Sequence, residues 1–277
     1  MSRLAFGSSI FDFFPRGGLG GRRCSRDSCA TKTPWAGGVF EFRISNFELP
    51  RTPYSLLPPS HDIFWPVAEG IRIEFSDVAK RFDERVVFRS VSGVADPGEV
   101  LAVTGPNGSG KSTLLTILCG LLRPTRGEVR YRSLGGGGEV ARDEWKRVLG
   151  VVAPAMSLYE ELDAMENLRF FERVRGLDPA EHRCRECLDQ VGLDPSRRTP
   201  VGGFSTGMHQ RLKIAQAMLH DPQVLFLDEP GSNLDPEGRD WLESWVRESV
   251  AGGKTVILAT NDPREMEWGT RRVALAG

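Results

Sequence analysis

Apolar and polar residues alternate through Ile71-Arg72-Ile73-Glu74-Phe75, a period of two that predicts a strand with one buried face. Glu99–Thr104 is an apolar run that predicts a second strand. Leu114, Leu115, Ile117, Leu118, Leu121 and Leu122 then recur at helical spacing, with Pro124 as the expected stop. Short aliphatic runs at Val148–Val152, Val224–Leu227, Thr255–Ala259 and Arg272–Leu275 suit a sheet covered on both faces. Helical patterns occupy Ala164–Arg175, Pro179–Val191, Met208–His220 and Pro236–Val250. Strands alternating with helices predict an α/β fold with a mainly parallel sheet. Gly135–Gly138 lies between candidate strands of a small antiparallel lobe and predicts a flexible hairpin tip. No internal repeat is found, so residues 69–277 are expected to form one domain.

Neither period persists in residues 1–68, apart from a candidate strand at Val39–Phe42. This stretch holds 11 of the chain's 24 aromatic residues, with eight Lys/Arg against five Asp/Glu. It is expected to be a disordered extension, or an upstream stretch carried in by a wrongly chosen start codon. Its Arg-rich beginning (Arg16, Arg22, Arg23, Arg26) also fits an organelle transit peptide. Over all 277 residues the formal charge is only -1, which argues against a nucleic-acid partner. No apolar run approaches the roughly 20 residues that span a bilayer. Five cysteines are too few for a dense disulfide framework.

The most specific chemistry lies between the second strand and the helix after it. Gly105-Pro106-Asn107-Gly108-Ser109-Gly110-Lys111-Ser112-Thr113 satisfies G-x-x-x-x-G-K-[ST] with a strand before it and a helix after it. A mere glycine turn with an incidental lysine would need neither neighbour. Glycines let successive N–H groups turn inward, and these donors with the helix N-terminus suit a β-phosphate. Lys111 is placed to reach β- and γ-phosphates, and the Ser112 hydroxyl to ligate Mg²⁺. Downstream, the buried run Val224–Leu227 delivers Asp228 and Glu229 to the carboxyl edge of the sheet, where ligands bind in open α/β folds. Asp228 is expected to hold Mg²⁺ through water, and Glu229 to activate the attacking water as general base.

Phe204-Ser205-Thr206-Gly207-Met208-His209-Gln210-Arg211, followed by a helix and then the Asp228 strand, separates this chain from other phosphate-loop proteins. It resembles the signature segment of the ATP-binding-cassette (ABC) superfamily, usually written LSGGQ. The resemblance covers nearly all of 71–277. It implies a phosphate-loop NTPase with a small antiparallel β lobe and a helical signature subdomain. It also implies that Ser205 and Gly207 dock on the γ-phosphate of ATP held by a second ABC subunit, in a homo- or heterodimer. Gly231-Ser232-Asn233-Leu234-Asp235 resembles the D-loop, which crosses the dimer interface. Phe82 matches the aromatic that stacks on adenine, with a core position as the competing expectation. Leu158-Tyr159 and Glu166-Asn167-Leu168 resemble the region that meets the coupling helix of a transmembrane permease subunit. The implied location is the cytoplasmic face of the cell membrane, held there by that permease.

Two positions depart from the family pattern. The Q-loop glutamine aligns with Pro154, and Asn261 stands where the switch histidine should follow Thr260. Asn261 can still donate a neutral hydrogen bond, so ATP binding with slow hydrolysis is expected. The short end of the domain and the S-T-G-M signature most resemble haem-exporter (cytochrome c maturation) and ABC-2 type subunits. Competing readings are a soluble, non-transport ABC ATPase and a nucleotide-gated regulatory subunit. Cys184-x-x-Cys187 is a lone pair on a predicted helix, and core packing is expected for it rather than metal or redox work.

Overall fold

The computed structural model describes residues 70–276 apart from Gly137; the candidate strand at 39–42 lies outside this range. Two long strands, β1 (Ile71–Phe82) and β2 (Arg85–Ala95), form a hairpin, and β3 (Val100–Thr104) leads through the glycine loop into α1 (Lys111–Leu118). Next come β4 (Arg126–Ser133), β5 (Gly138–Glu139), α2 (Trp145–Val148) and β6 (Leu149–Val152). A helical segment follows: α3 (Ala164–Val174), α4 (Glu181–Gln190) and α5 (Thr206–Met218). The chain then runs through β7 (Val224–Asp228), α6 (Pro236–Ala251), β8 (Thr255–Ala259), α7 (Pro263–Met266) and β9 (Arg271–Ala274). The strands make an antiparallel sheet ordered β2-β1-β4-β5 and a parallel sheet ordered β6-β7-β8-β3-β9. This is the α/β arrangement expected.

The parallel sheet divides the core in two. Leu225, Leu227, Val256 and Leu258 face one apolar cluster, shared with α3, α4, α5 and α6. Their neighbours Val224, Phe226, Ile257 and Ala259 face the other, shared with α1 and the antiparallel sheet. Alternate residues of one strand thus serve opposite faces, which is why these runs are apolar throughout. Cys184 and Cys187 belong to the first cluster and burial pushes their thiols up to about 11 and about 12. Neutral at ordinary pH, with His182 exposed nearby, they are core residues.

Sequence periodicity misplaces one helix end. α1 stops at Leu118, where Gly120 (φ 82°) turns the chain, rather than at Pro124. Leu121, expected on the buried stripe, is 71% exposed. The antiparallel lobe is irregular where β1 bulges past β4, at Asp77 (φ 51°). There a Cβ on Gly127 would lie 2.4 Å from the Ser76 and Asp77 carbonyl oxygens, so the close strand approach requires glycine. Among the described residues no helix is long and apolar enough to cross a membrane.

Candidate functional site

The glycine loop lies at the carboxyl end of β3, beside β8 and β9. Gly108 (φ 81°) and Gly110 (φ 99°) take left-handed backbone angles. A Cβ on Gly110 would come within 2.6 Å of Val87 and 2.9 Å of Phe88, so β2 of the antiparallel sheet leans directly on the loop. Lys111 is 6% exposed, and its Nζ donates to the carbonyls of Gly105 (2.9 Å) and Pro106 (3.3 Å). The ammonium is thereby held inside the curve of the loop.

Asp228 ends β7 and is 7% exposed, with Oδ1 buried and unpartnered. Burial raises its pKa above the usual carboxylate value. A hydrogen bond from Ser112 pulls it down, the nearby Glu229 charge pushes it up, and Lys111 opposes that push. Lys111, Ser112 and Glu229 thus all act electrostatically on Asp228, at the carboxyl ends of β3 and β7. The donors there are a hydroxyl and carboxylates, and the free Asp228 oxygen has an unmet need for a cation. Such an all-oxygen set fits Mg²⁺, which completes its shell with water and phosphate oxygens. Among the described residues no group of three or more His, Cys, Asp or Glu could hold a metal without such help.

That unmet need carries a stability consequence. An acid whose folded pKa is raised destabilises the fold as pH climbs from its unfolded value through the folded one. Asp228→Asn removes the buried charge, so at neutral pH without Mg²⁺ or nucleotide it should gain about 1 kcal/mol, or about 2–4 °C in Tm. Thermal melts of the two proteins at pH 7 check this. A lower Tm for the variant would mean that Asp228 is well accommodated as an anion.

Glu229 follows at φ 49°, a left-handed angle that a non-glycine residue holds only when its surroundings impose it. Its N–H donates to Ala259 (2.8 Å), and its carbonyl accepts from the Ser232 N–H (3.1 Å) and hydroxyl (2.7 Å). Asn261 Nδ2 donates to Asn107 Oδ1 at 2.7 Å, so the segment after β8 meets the glycine loop. Phe82 is 48% exposed at the β1–β2 tip with the Lys80 ammonium 4.7 Å from its ring centre. It is a surface aromatic, not a core one.

Ser205 caps α5, its Oγ accepting the Met208 N–H at 3.2 Å, which leaves the hydroxyl proton free for an acceptor outside. Gly207 backs onto the turn 231–235, where a Cβ would sit 3.0 Å from the Asn233 carbonyl oxygen. Gln210 Nε2 donates to Pro230 O (2.8 Å), and Arg211 pairs with Asp235 (3.1 Å), so α5 and that turn are fastened together. Among the described residues no hydrogen bond joins segment 204–211 to loop 105–113. Asn167 and Leu168 are fully buried, and the Asn167 amide holds the backbone of residues 159–163, which leaves half-buried Tyr159 and Phe170 beside the surface.

Two side chains unmarked by any motif also converge here. Lys213 Nζ donates to Pro154 O at 3.0 Å, tying the segment after β6 to α5. Glu265 reaches back from α7 to the N–H of Gly231 at 3.0 Å. Neither contact has a local spacing that could have announced it.

A family model described as ABC transporter matches residues 88–232. The linearmycin resistance ATP-binding protein LnrL of Bacillus subtilis (strain 168) is 30% identical over 205 residues, covering 73% of this chain and 65% of that protein. The Nod factor export ATP-binding protein I of Burkholderia pseudomallei (strain 1710b) is 36% identical over 200 residues, covering 70% and 64%. The shared part is thus a little under two thirds of each relative's length. The dimeric structure of a bacterial ABC transporter cassette superposes with a TM-score of 0.66 at 26% identity, over 74% of this chain and 94% of that one. With the glycine loop, the serine-capped α5 and the Asp228-Glu229 strand end all inside the matched span, the chain belongs to the ABC transporter family.

Proposed function

We propose that this chain is the ATP-binding and ATP-hydrolysing subunit of an ABC export system. In this reading two subunits close around Mg-ATP and drive a separate membrane-spanning partner, residues 69–277 being the working domain. The observation that carries the reading is the convergence of Lys111, Ser112, Asp228 and Glu229 at the carboxyl end of the parallel sheet. Linearmycin resistance and Nod factor export, the roles named in the two relatives, support an export system over a haem exporter. The dimeric cassette supports a two-subunit site, as does the lack, among the described residues, of any hydrogen bond between Ser205 and the glycine loop of its own chain.

Each residue has a role its geometry supports. Lys111 exchanges two loop carbonyls for β- and γ-phosphate oxygens, a charge-assisted contact. The turned N–H groups of residues 105–113 hold the β-phosphate, and Ser112 with Asp228 holds Mg²⁺. When bound, that ion offsets phosphate charge. Glu229 accepts the proton of the attacking water. Ser205 and the bare Gly207 backbone face the γ-phosphate of the opposite subunit. Phe82 offers its open face to adenine, and Asn261, anchored on Asn107, supplies a neutral donor near the γ-phosphate.

Binding of Mg-ATP to the purified chain, followed by calorimetry, tests the reading. The wild-type protein should bind, and Lys111→Ala should weaken binding about 10- to 100-fold, the worth of one charged hydrogen-bond set. A wild-type chain with no measurable affinity for Mg-ATP refutes the reading, as does a Lys111→Ala variant that binds as tightly.

A further inference from the structure

Glu265 lies outside the motifs and outside the matched family span, yet it joins the turn beside Glu229 to the helix that follows Asn261. It sits on the short helix α7 and is 5% exposed. Its Oε1 accepts the Gly231 N–H at 3.0 Å, two residues beyond Glu229. The helix that carries it follows directly on the 260–261 segment and is tied to it, the Asp262 N–H donating to the Thr260 hydroxyl at 3.0 Å, one residue before and after Asn261. The turn that begins at Gly231 is shaped to receive this carboxyl group, since a Cβ at Gly231 would stand 2.2 Å from Oε1. From there the order continues outward. The Ser232 N–H and hydroxyl hang on the Glu229 carbonyl, Leu234 N–H on the Gly231 carbonyl, and the Asn233 carbonyl lies against Gly207 of α5.

Burying a carboxyl group with Oε2 left unpartnered is costly and raises its pKa. A side chain needed only for packing could be apolar at no such cost. We propose that Glu265 is a positioning residue, which pins the turn 231–235 to α7 and through it to the 260–261 segment, and so sets the spacing of Glu229, Asn261 and the turn that meets a second subunit. It touches neither nucleotide nor reacting atoms. The inference rests on the ATPase reading above.

The test uses the full chain. Mg-ATP affinity is measured by calorimetry and kcat by phosphate release for Glu265→Ala, Glu265→Gln and Thr260→Val. Glutamine keeps a carbonyl oxygen for the Gly231 N–H, whereas alanine keeps nothing. Glu265→Ala should lower kcat about tenfold, the worth of one buried hydrogen bond transmitted to the transition state, with ATP affinity within twofold of wild type. Glu265→Gln should return kcat to within threefold of wild type. Thr260→Val, nearly isosteric, should lower kcat several-fold by removing the acceptor of the Asp262 N–H that ties α7 to the 260–261 segment, and it stands in if the alanine variant does not fold. A kcat unchanged within twofold in Glu265→Ala and Thr260→Val overturns the proposal, and so does a Gln variant as slow as the Ala variant. Failure of the wild-type chain to bind Mg-ATP would instead remove the ATPase reading, which the affinity measurement registers separately.

Discussion

Glu229→Gln should lower ATP turnover by about 10²–10⁴-fold while leaving nucleotide affinity nearly intact. The substitution is isosteric, so the backbone contacts that impose φ 49° at this residue persist. The N–H still meets Ala259 and the carbonyl still receives Ser232. Only the capacity to accept a proton from water is lost. Because Asp228 and Lys111 remain, the phosphates and Mg²⁺ should be held as before, and the closed pair of subunits should accumulate. Phosphate release gives the rate, and light scattering of the Mg-ATP complex gives the mass. A turnover within threefold of wild type would assign the proton to another group. A chain that stays monomeric at saturating Mg-ATP would remove the shared site, and with it the part given to Ser205 and Gly207.

What the sequence announced and what it hid divide along a physical line. The glycine loop was legible because its chemistry is local: nine consecutive residues, with a strand before and a helix after, contain the whole cradle. Strands β3, β6, β7 and β8 of the parallel sheet were legible because burial on both faces leaves an unbroken apolar run. β2 was not, since most of Arg85–Ala95 is exposed or half-exposed and it pairs with β1 through register shifts that spoil any period of two. The end of α1 was missed because Gly120, not the more conspicuous Pro124, turns the chain. The Lys213–Pro154 and Glu265–Gly231 contacts join residues 59 and 34 positions apart, and only the folded chain brings them together. The antiparallel lobe's contribution to the site, Val87 and Phe88 against Gly110, was hidden for the same reason.

Asn261→His should raise turnover by up to about 10²–10³-fold, the usual worth of one well-placed donor to transition-state charge. The position is suited to the exchange. Asn261 is exposed, and its amide already spans to Asn107 of the glycine loop at 2.7 Å, so a longer imidazole has room to extend over the same loop. An imidazole with an ordinary pKa of about 6.5 is a charged donor mainly below that value. The gain should therefore grow as pH falls through that range, a limb that wild type lacks at this position because an amide does not titrate. Pro154 would remain, but its carbonyl is already held by Lys213, so that segment stays fastened to α5 in either protein. Steady-state rates between pH 5.5 and 8.5 decide the matter. Equal rates for wild type and Asn261→His across that range would mean that residue 261 does not face the γ-phosphate, and that slow turnover, if observed, has its origin at Pro154.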